Sequence, residues 1–170
     1  MSEKQTMPVK LELVGPSYVN FAYGQILVFD QAETEPGSIW TDLHVAQGFV
    51  RRERVLAIGT LLAAGEATLK LYTGALESFD SYDRVVAIPL QVDTGVICVE
   101  GPDEYPIERF VELTPGYVRV VAAQRVLSDT KIVFDLYFST EANPNSGSQI
   151  LKADKNLLPS ENLLENGDIA

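Results

Sequence analysis

Apolar residues recur at every second position through much of the chain. In 84–92, Val86, Ile88, Leu90 and Val92 share one face; in 131–139, Ile132, Phe134, Leu136 and Phe138 do so while Lys131 and Asp135 point the other way. A period of two marks a strand with one dry and one wet face. Runs of this kind, cut by Gly, Pro, Asn and Asp, predict strands at 9–14, 21–30, 54–62, 67–73, 84–92, 96–100, 109–113, 117–126 and 131–139. Asp93-Thr94-Gly95 and Ser128-Asp129-Thr130 read as hairpin turns and Thr114-Pro115-Gly116 as a further reversal, so the second half is expected to be an antiparallel meander. Pro89 cannot donate to a ladder, which puts its strand at an edge there or turns its amide position away from a neighbour. Stacked dry face to dry face, these strands make an all-β fold, an antiparallel two-sheet β-sandwich.

Helical spacing is confined to one short stretch after Trp40. Thr41 is a suitable N-cap, Asp42 suits the positive end of the helix dipole, and Leu43, Ala46 and Val50 recur at helical intervals. After Thr140 the periodicity stops in Glu141-Ala-Asn-Pro-Asn-Ser-Gly-Ser148, which has the composition of a linker. The expected organisation is a sandwich domain over 1–140 and a flexible C-terminal extension over 141–170. Leu157, Leu158, Leu163 and Leu164 are the residues of that tail able to dock on the domain or on a partner.

A chain of 170 residues with 46% apolar and 22% charged residues can bury one substantial core. No run approaches the roughly 18 apolar residues that span a bilayer, and the N-terminus lacks the apolar stretch of a secretory signal, so the expected address is the cytoplasm. Cys98 is the only cysteine and sits in a strand-like run, which predicts a buried, inert thiol. With His44 the only histidine, the usual zinc ligand sets cannot be assembled, and triad schemes would all have to pass through it. A structural or surface histidine is the expected role. The net charge is −11, which opposes direct binding of nucleic acid and favours a basic protein partner, although solubility alone also accounts for an acidic surface.

Phosphate-binding glycine loops, nucleophile elbows, H-E-x-x-H and C-x-x-C are all missing, so no cofactor and no catalytic residues are assigned. What remains is two acidic loops, one with Asp80 and Asp83 around Tyr82, the other with Asp103 and Glu104 beside Tyr105. Carboxylates on loops are most simply solvated. They can also bind calcium, for which the D-x-[DN]-x-[DN]-G pattern is lacking, or contact a protein partner with the tyrosines as anchors. Two further readings stay open at this point: a ligand or carbohydrate binder stacking sugars on Trp40, and a hydrolase using two carboxylates about 5–9 Å apart.

Phe21-Ala-Tyr-Gly-Gln-Ile-Leu-Val-Phe-Asp30, then Trp40-Thr41-Asp42 and Gly48-Phe49, then Arg84-Val-Val-Ala-Ile-Pro-Leu-Gln-Val92, Gly95-Val-Ile-Cys-Val-Glu100 and Gly116-Tyr-Val-Arg119, occur in an order and spacing that resembles the competence protein ComJ family, the DNA-entry nuclease inhibitors. The resemblance runs from about Tyr18 to Phe138. It implies a non-catalytic protein that binds and silences a DNA-degrading nuclease of competent cells. The charge suggests the mechanism, an acidic face entering the nuclease's basic cleft, and loop position and charge alone, not the resemblance, select Asp80, Tyr82, Asp83, Asp103, Glu104 and Tyr105 as the partner-binding residues. The tail after Thr140 is longer than the family pattern.

Overall fold

The computed structural model describes residues 10–11, 17–21, 24–101, 110–157 and 162–170. In chain order the elements are β1 (Lys10–Leu11), β2 (Ser17–Phe21), β3 (Gln25–Asp30), α1 (Asp42–Gln47), β4 (Phe49–Arg51), β5 (Val55–Gly59) and β6 (Gly65–Thr73). The second half holds β7 (Arg84–Val92), β8 (Val96–Glu100), β9 (Phe110–Glu112), β10 (Gly116–Ser128), β11 (Lys131–Thr140) and β12 (Gln149–Lys152). One sheet has seven strands in the order β1-β6-β11-β10-β7-β12, with β2 also on β6, and the other has five in the order β4-β5-β3-β8-β9. The molecule is essentially all β.

The alternating residues do what their period requires. Val86, Ile88, Leu90 and Val92 of β7 and Ile132, Phe134, Leu136 and Phe138 of β11 join Ile26 and Val28 of β3 and Leu56 and Ile58 of β5 in one fully buried cluster. The two sheets thus share a core. Each outer face carries a smaller apolar cluster: Leu27, Phe29, Val55 and Ala57 under Trp40 on the five-stranded sheet, and Val85, Ala87, Val121 and Ala123 on the seven-stranded sheet.

The larger sheet is not purely antiparallel, because β11 lies parallel to β6 in the register Phe134↔Leu69 and Leu136↔Leu71. Side-chain alternation is the same for either strand direction, so the residue pattern does not foretell this pairing. Since β10 is antiparallel to both β11 and β7, strands β6 and β7 point the same way with two strands between them. Segment 74–83 must therefore return along the outer face of the sheet from the end of β6 to the start of β7.

Two connections differ from the expected meander. The Asp93-Thr94-Gly95 turn joins β7 of one sheet to β8 of the other, and 113–115 likewise carries β9 across to β10; of the three expected reversals, only the one between β10 and β11 closes a hairpin within a sheet. The first corner is fixed by Asp30, whose carboxylate accepts from the Thr94 N–H and hydroxyl, both at 3.1 Å. Burial by itself would raise the Asp30 pKa, but the hydrogen bonds from Ala32 and Thr94 outweigh it and hold the carboxyl below its ordinary value. Pro89 lies beyond the reach of β12, which stops at Ala87, so the edge position expected of it is observed.

The helix starts at the expected N-cap. The Thr41 hydroxyl accepts from the His44 N–H, the His44 ring takes the Thr41 N–H in return, and Gly48 at φ 87° ends the helix. Its buried side chains, however, are His44 and Gln47, while Leu43 is 63% exposed. Six residues are too few for an apolar stripe, and the polar pair faces inward to make bonds.

The C-terminal segment departs most from expectation: it is not a flexible tail in its described parts. Gln149 and Ile150 pair with Ala87 and Val86 of β7, Leu157 is buried in the core, and Leu163 packs against it. Gln47 both donates to the Leu164 carbonyl and accepts from its N–H, at 3.1 and 2.8 Å. Of the leucines expected to be able to dock, Leu158 lies outside the described residues.

Candidate protein-binding surface

Segment 74–83 positions the first of the two acidic loops. Leu76, Phe79 and Tyr82 turn inward onto Val121, Ala123 and Tyr137, covering the outer face of the seven-stranded sheet. Glu77, Ser78, Asp80, Ser81 and Asp83 are left exposed between them. The segment is braced at four points. The Tyr82 hydroxyl donates to Asp135 Oδ2 at 2.6 Å, Lys152 Nζ donates to the Phe79 carbonyl at 3.3 Å, the Asp83 N–H donates to the Gln124 carbonyl at 2.8 Å, and Asp83 Oδ2 accepts from the Val126 N–H at 2.9 Å.

This bracing separates the predicted residues. Asp80 and Asp83 are exposed as expected, though Asp83 spends one oxygen on the Val126 N–H, where β10 runs on past the start of β7. Tyr82 is corrected: only 9% of it is exposed, and its ring serves as the peg of the loop and not as a surface anchor. A tyrosine beside acidic residues looks exposed in sequence, but its partner Asp135 is 53 residues away. Asp103, Glu104 and Tyr105 lie outside the described residues. Strand β8, which leads to them, runs toward the end where β7 begins, since Glu100 pairs with Leu27 and Arg84 shares a groove with Gln25.

Beneath the loop, burial raises the Asp135 pKa against the opposing Tyr82 hydrogen bond and the charges of Lys70 and Arg125, and its Oδ1 has no hydrogen-bond partner among the described residues. Burial and the bond to Asp135 push the Tyr82 phenol far above its ordinary range, so this hydroxyl stays protonated. Tyr137 stacks on Tyr72 with ring centroids 4.6 Å apart.

Asp83 also borders a groove of about 500 Å³ with Leu62, Val126, Lys152 and Lys155, which adjoins a second of about 460 Å³ at Leu61 and Asn156. Trp40 lines the second, but its indole N–H is held by Gln25 Oε1 at 2.9 Å and it packs on the outer cluster of the five-stranded sheet. It is not a free stacking platform. The two lysines show that this end is of mixed charge.

A second set of carboxylates is hidden from the linear sequence because three loops and the end of β9 assemble it at the opposite end. Glu33, Glu35, Glu53, Asp93 and Glu112 gather around the Asp30 corner, as Arg54 pairs with Asp93 at 2.7 Å, the Gln91 N–H reaches the Glu53 carbonyl, and Val96 pairs with Glu112. Among the described residues no group of three His, Cys, Asp or Glu side chains is placed to hold a metal ion. Burial, with the negative field of Glu100 and Asp30, pushes the Cys98 thiol up to about 11, so it is not a nucleophile at neutral pH. His44 sits in its capping box with burial lowering its pKa against the pull of Asp168.

No curated protein sequence matches the chain significantly. Among solved structures, ComJ from Bacillus subtilis, described as the inhibitor of the DNA-degrading activity of NucA, superposes with a TM-score of 0.67 at 18% identity, covering 79% of this chain and 100% of its own. The product of crocagin biosynthetic gene J aligns with a TM-score of 0.45 at 15% identity, over 73% of this chain and 98% of its own. The family profile of competence protein J (ComJ) matches residues 19–139, from β2 through nearly all of β11. That span holds most of both sheets, the helix and the braced acidic loop, and the chain belongs to the ComJ family.

Proposed function

We propose that this chain is a non-catalytic inhibitor that binds a DNA-degrading nuclease of the DNA-entry type and blocks its cleft with an acidic surface on a stiff two-sheet sandwich. The observation that carries this reading is the family match across the domain, together with an architecture shared with an inhibitor of NucA. The net charge of −11 supports the electrostatic part, because a nuclease must present cations to the phosphates it binds. Glu77, Asp80 and Asp83 lie on one loop whose backbone is tied to the sheet, and none of them forms an ion pair among the described residues. Rigid, unpaired carboxylates lose little entropy on meeting a cationic partner. Asp103, Glu104 and Tyr105, which lie outside the described residues, are proposed as further partner contacts from their residue types alone.

The test is binding in competition with DNA. A DNA-entry nuclease, inactivated so that DNA survives, is titrated with the chain while labelled DNA is bound to it. Displacement of DNA at stoichiometric amounts, weakening as salt rises, is the expected result. A complex that forms while DNA stays bound would refute cleft occlusion, and no complex at all would refute the partner.

A further inference from the structure

The C-terminal segment is joined to the body through 141–148, a stretch poor in apolar side chains, and anchored by contacts of a different kind. Between Thr140 and Gln149 the only apolar side chains are those of Ala142 and Pro144, and 142–145 are exposed. The described residues from Gln149 onward, 149–157 and 162–170, lie along the body. β12 adds four residues to the edge of β7, and further on the Gly167 N–H donates to the Arg51 carbonyl at 2.7 Å. Leu157 fills a recess beside Gly48 so closely that a Cβ there would stand 2.9 Å from its Cδ2. Two ion pairs complete the seat, Asp154 with Arg84 at 2.8 Å and Glu165 with Arg51 at 2.5 Å.

Strand addition, one apolar anchor in a fitted recess and charge-matched flanks are together a mode of recognising an extended peptide. Residues 149–170 supply four carboxylates against two lysines, and the family match ends ahead of them at residue 139. We infer that the body carries a groove for an extended, acidic, leucine-bearing peptide, and that the chain's own residues 149–157 and 162–170 occupy it as a detachable strap. Tethering keeps the strap at high effective concentration, so the groove is shut at rest. Release would uncover Arg51, Arg84 and the β7 edge, cationic and hydrogen-bonding surface that is hidden in a protein of net charge −11. This device does not depend on which protein the acidic loop binds.

The experiment uses the full chain with a protease site replacing residues 143–146, cut only after folding. A labelled synthetic peptide of residues 147–170 is then added. Exchange of the label into the groove is expected, with a peptide carrying Asp154→Lys and Glu165→Lys binding about tenfold or more weakly. A nicked strap that stays bound and never exchanges, or a body that unfolds when nicked, would show the segment to be ordinary core. A body that stays folded without binding either peptide would show that no such groove exists.

Discussion

Tyr82 and Asp135 form a buried pair in which one carboxylate oxygen accepts the phenol and the other has no partner among the described residues. Tyr82→Phe removes the donor and leaves a buried acid less satisfied, which is expected to cost about 1–3 kcal/mol in urea unfolding near pH 7. Asp135→Asn tests the same site through its pH dependence. Burial holds the folded pKa above the ordinary 3.8, so over the window between them the folded chain keeps a proton that the unfolded chain has lost. Stability therefore falls as pH rises through that window, and levels off above the folded pKa. Asp135→Asn should abolish this decline, raising stability relative to the parent near neutrality while the difference shrinks toward about pH 4. Unfolding midpoints of the two proteins across pH check it. Gly65 offers a steric counterpart: at φ 152°, a Cβ would collide with the Thr130 carbonyl. Gly65→Ala should cost about 2 kcal/mol or more, read as a fall in Tm. Residues are legible in sequence where their role is local, as with Thr41 at the helix start or Cys98 in its strand. Tyr82 is not, because its partner comes from a strand brought near only by the fold.

At the scale of elements, the strands can be read from a period of two, since every second residue meets the shared core. Their directions cannot. A parallel β6–β11 pair and an antiparallel one show the same alternation, and the consequence, a return of 74–83 across the outer face, is a fact of topology. The C-terminal segment is illegible for a related reason: its anchors are single residues spaced along an extended chain, Leu157, Gln47 to Leu164, and Gly167, with no periodicity to register. Gly167 packs so tightly that a Cβ would sit 2.5 Å from Val50 Cγ1. Gly167→Ala should loosen the segment's last turn, seen as about tenfold or faster hydrogen exchange at 164–168 with the amides of β10 and β11 unchanged.

At the scale of the molecule, the charge excess is plain from composition, but its distribution is not. The structure places exposed carboxylates on the braced loop over the outer face of the seven-stranded sheet and on three loops and the end of β9 at the Asp30 corner, with lysines bordering the groove beside Asp83. Reversing Glu77 and Asp80 to lysine alters two exposed side chains that form no ion pair among the described residues, so stability should move by less than about 0.5 kcal/mol. On the proposed face, the same pair of changes should weaken nuclease binding about tenfold or more at low salt and less at high salt. Calorimetric titration of both proteins at two salt concentrations reads this. The most direct measurement is DNA degradation by a DNA-entry nuclease in the presence of increasing amounts of this chain. Activity should fall to zero near one equivalent, and digestion that proceeds unchanged at large excess would contradict the inhibitor reading.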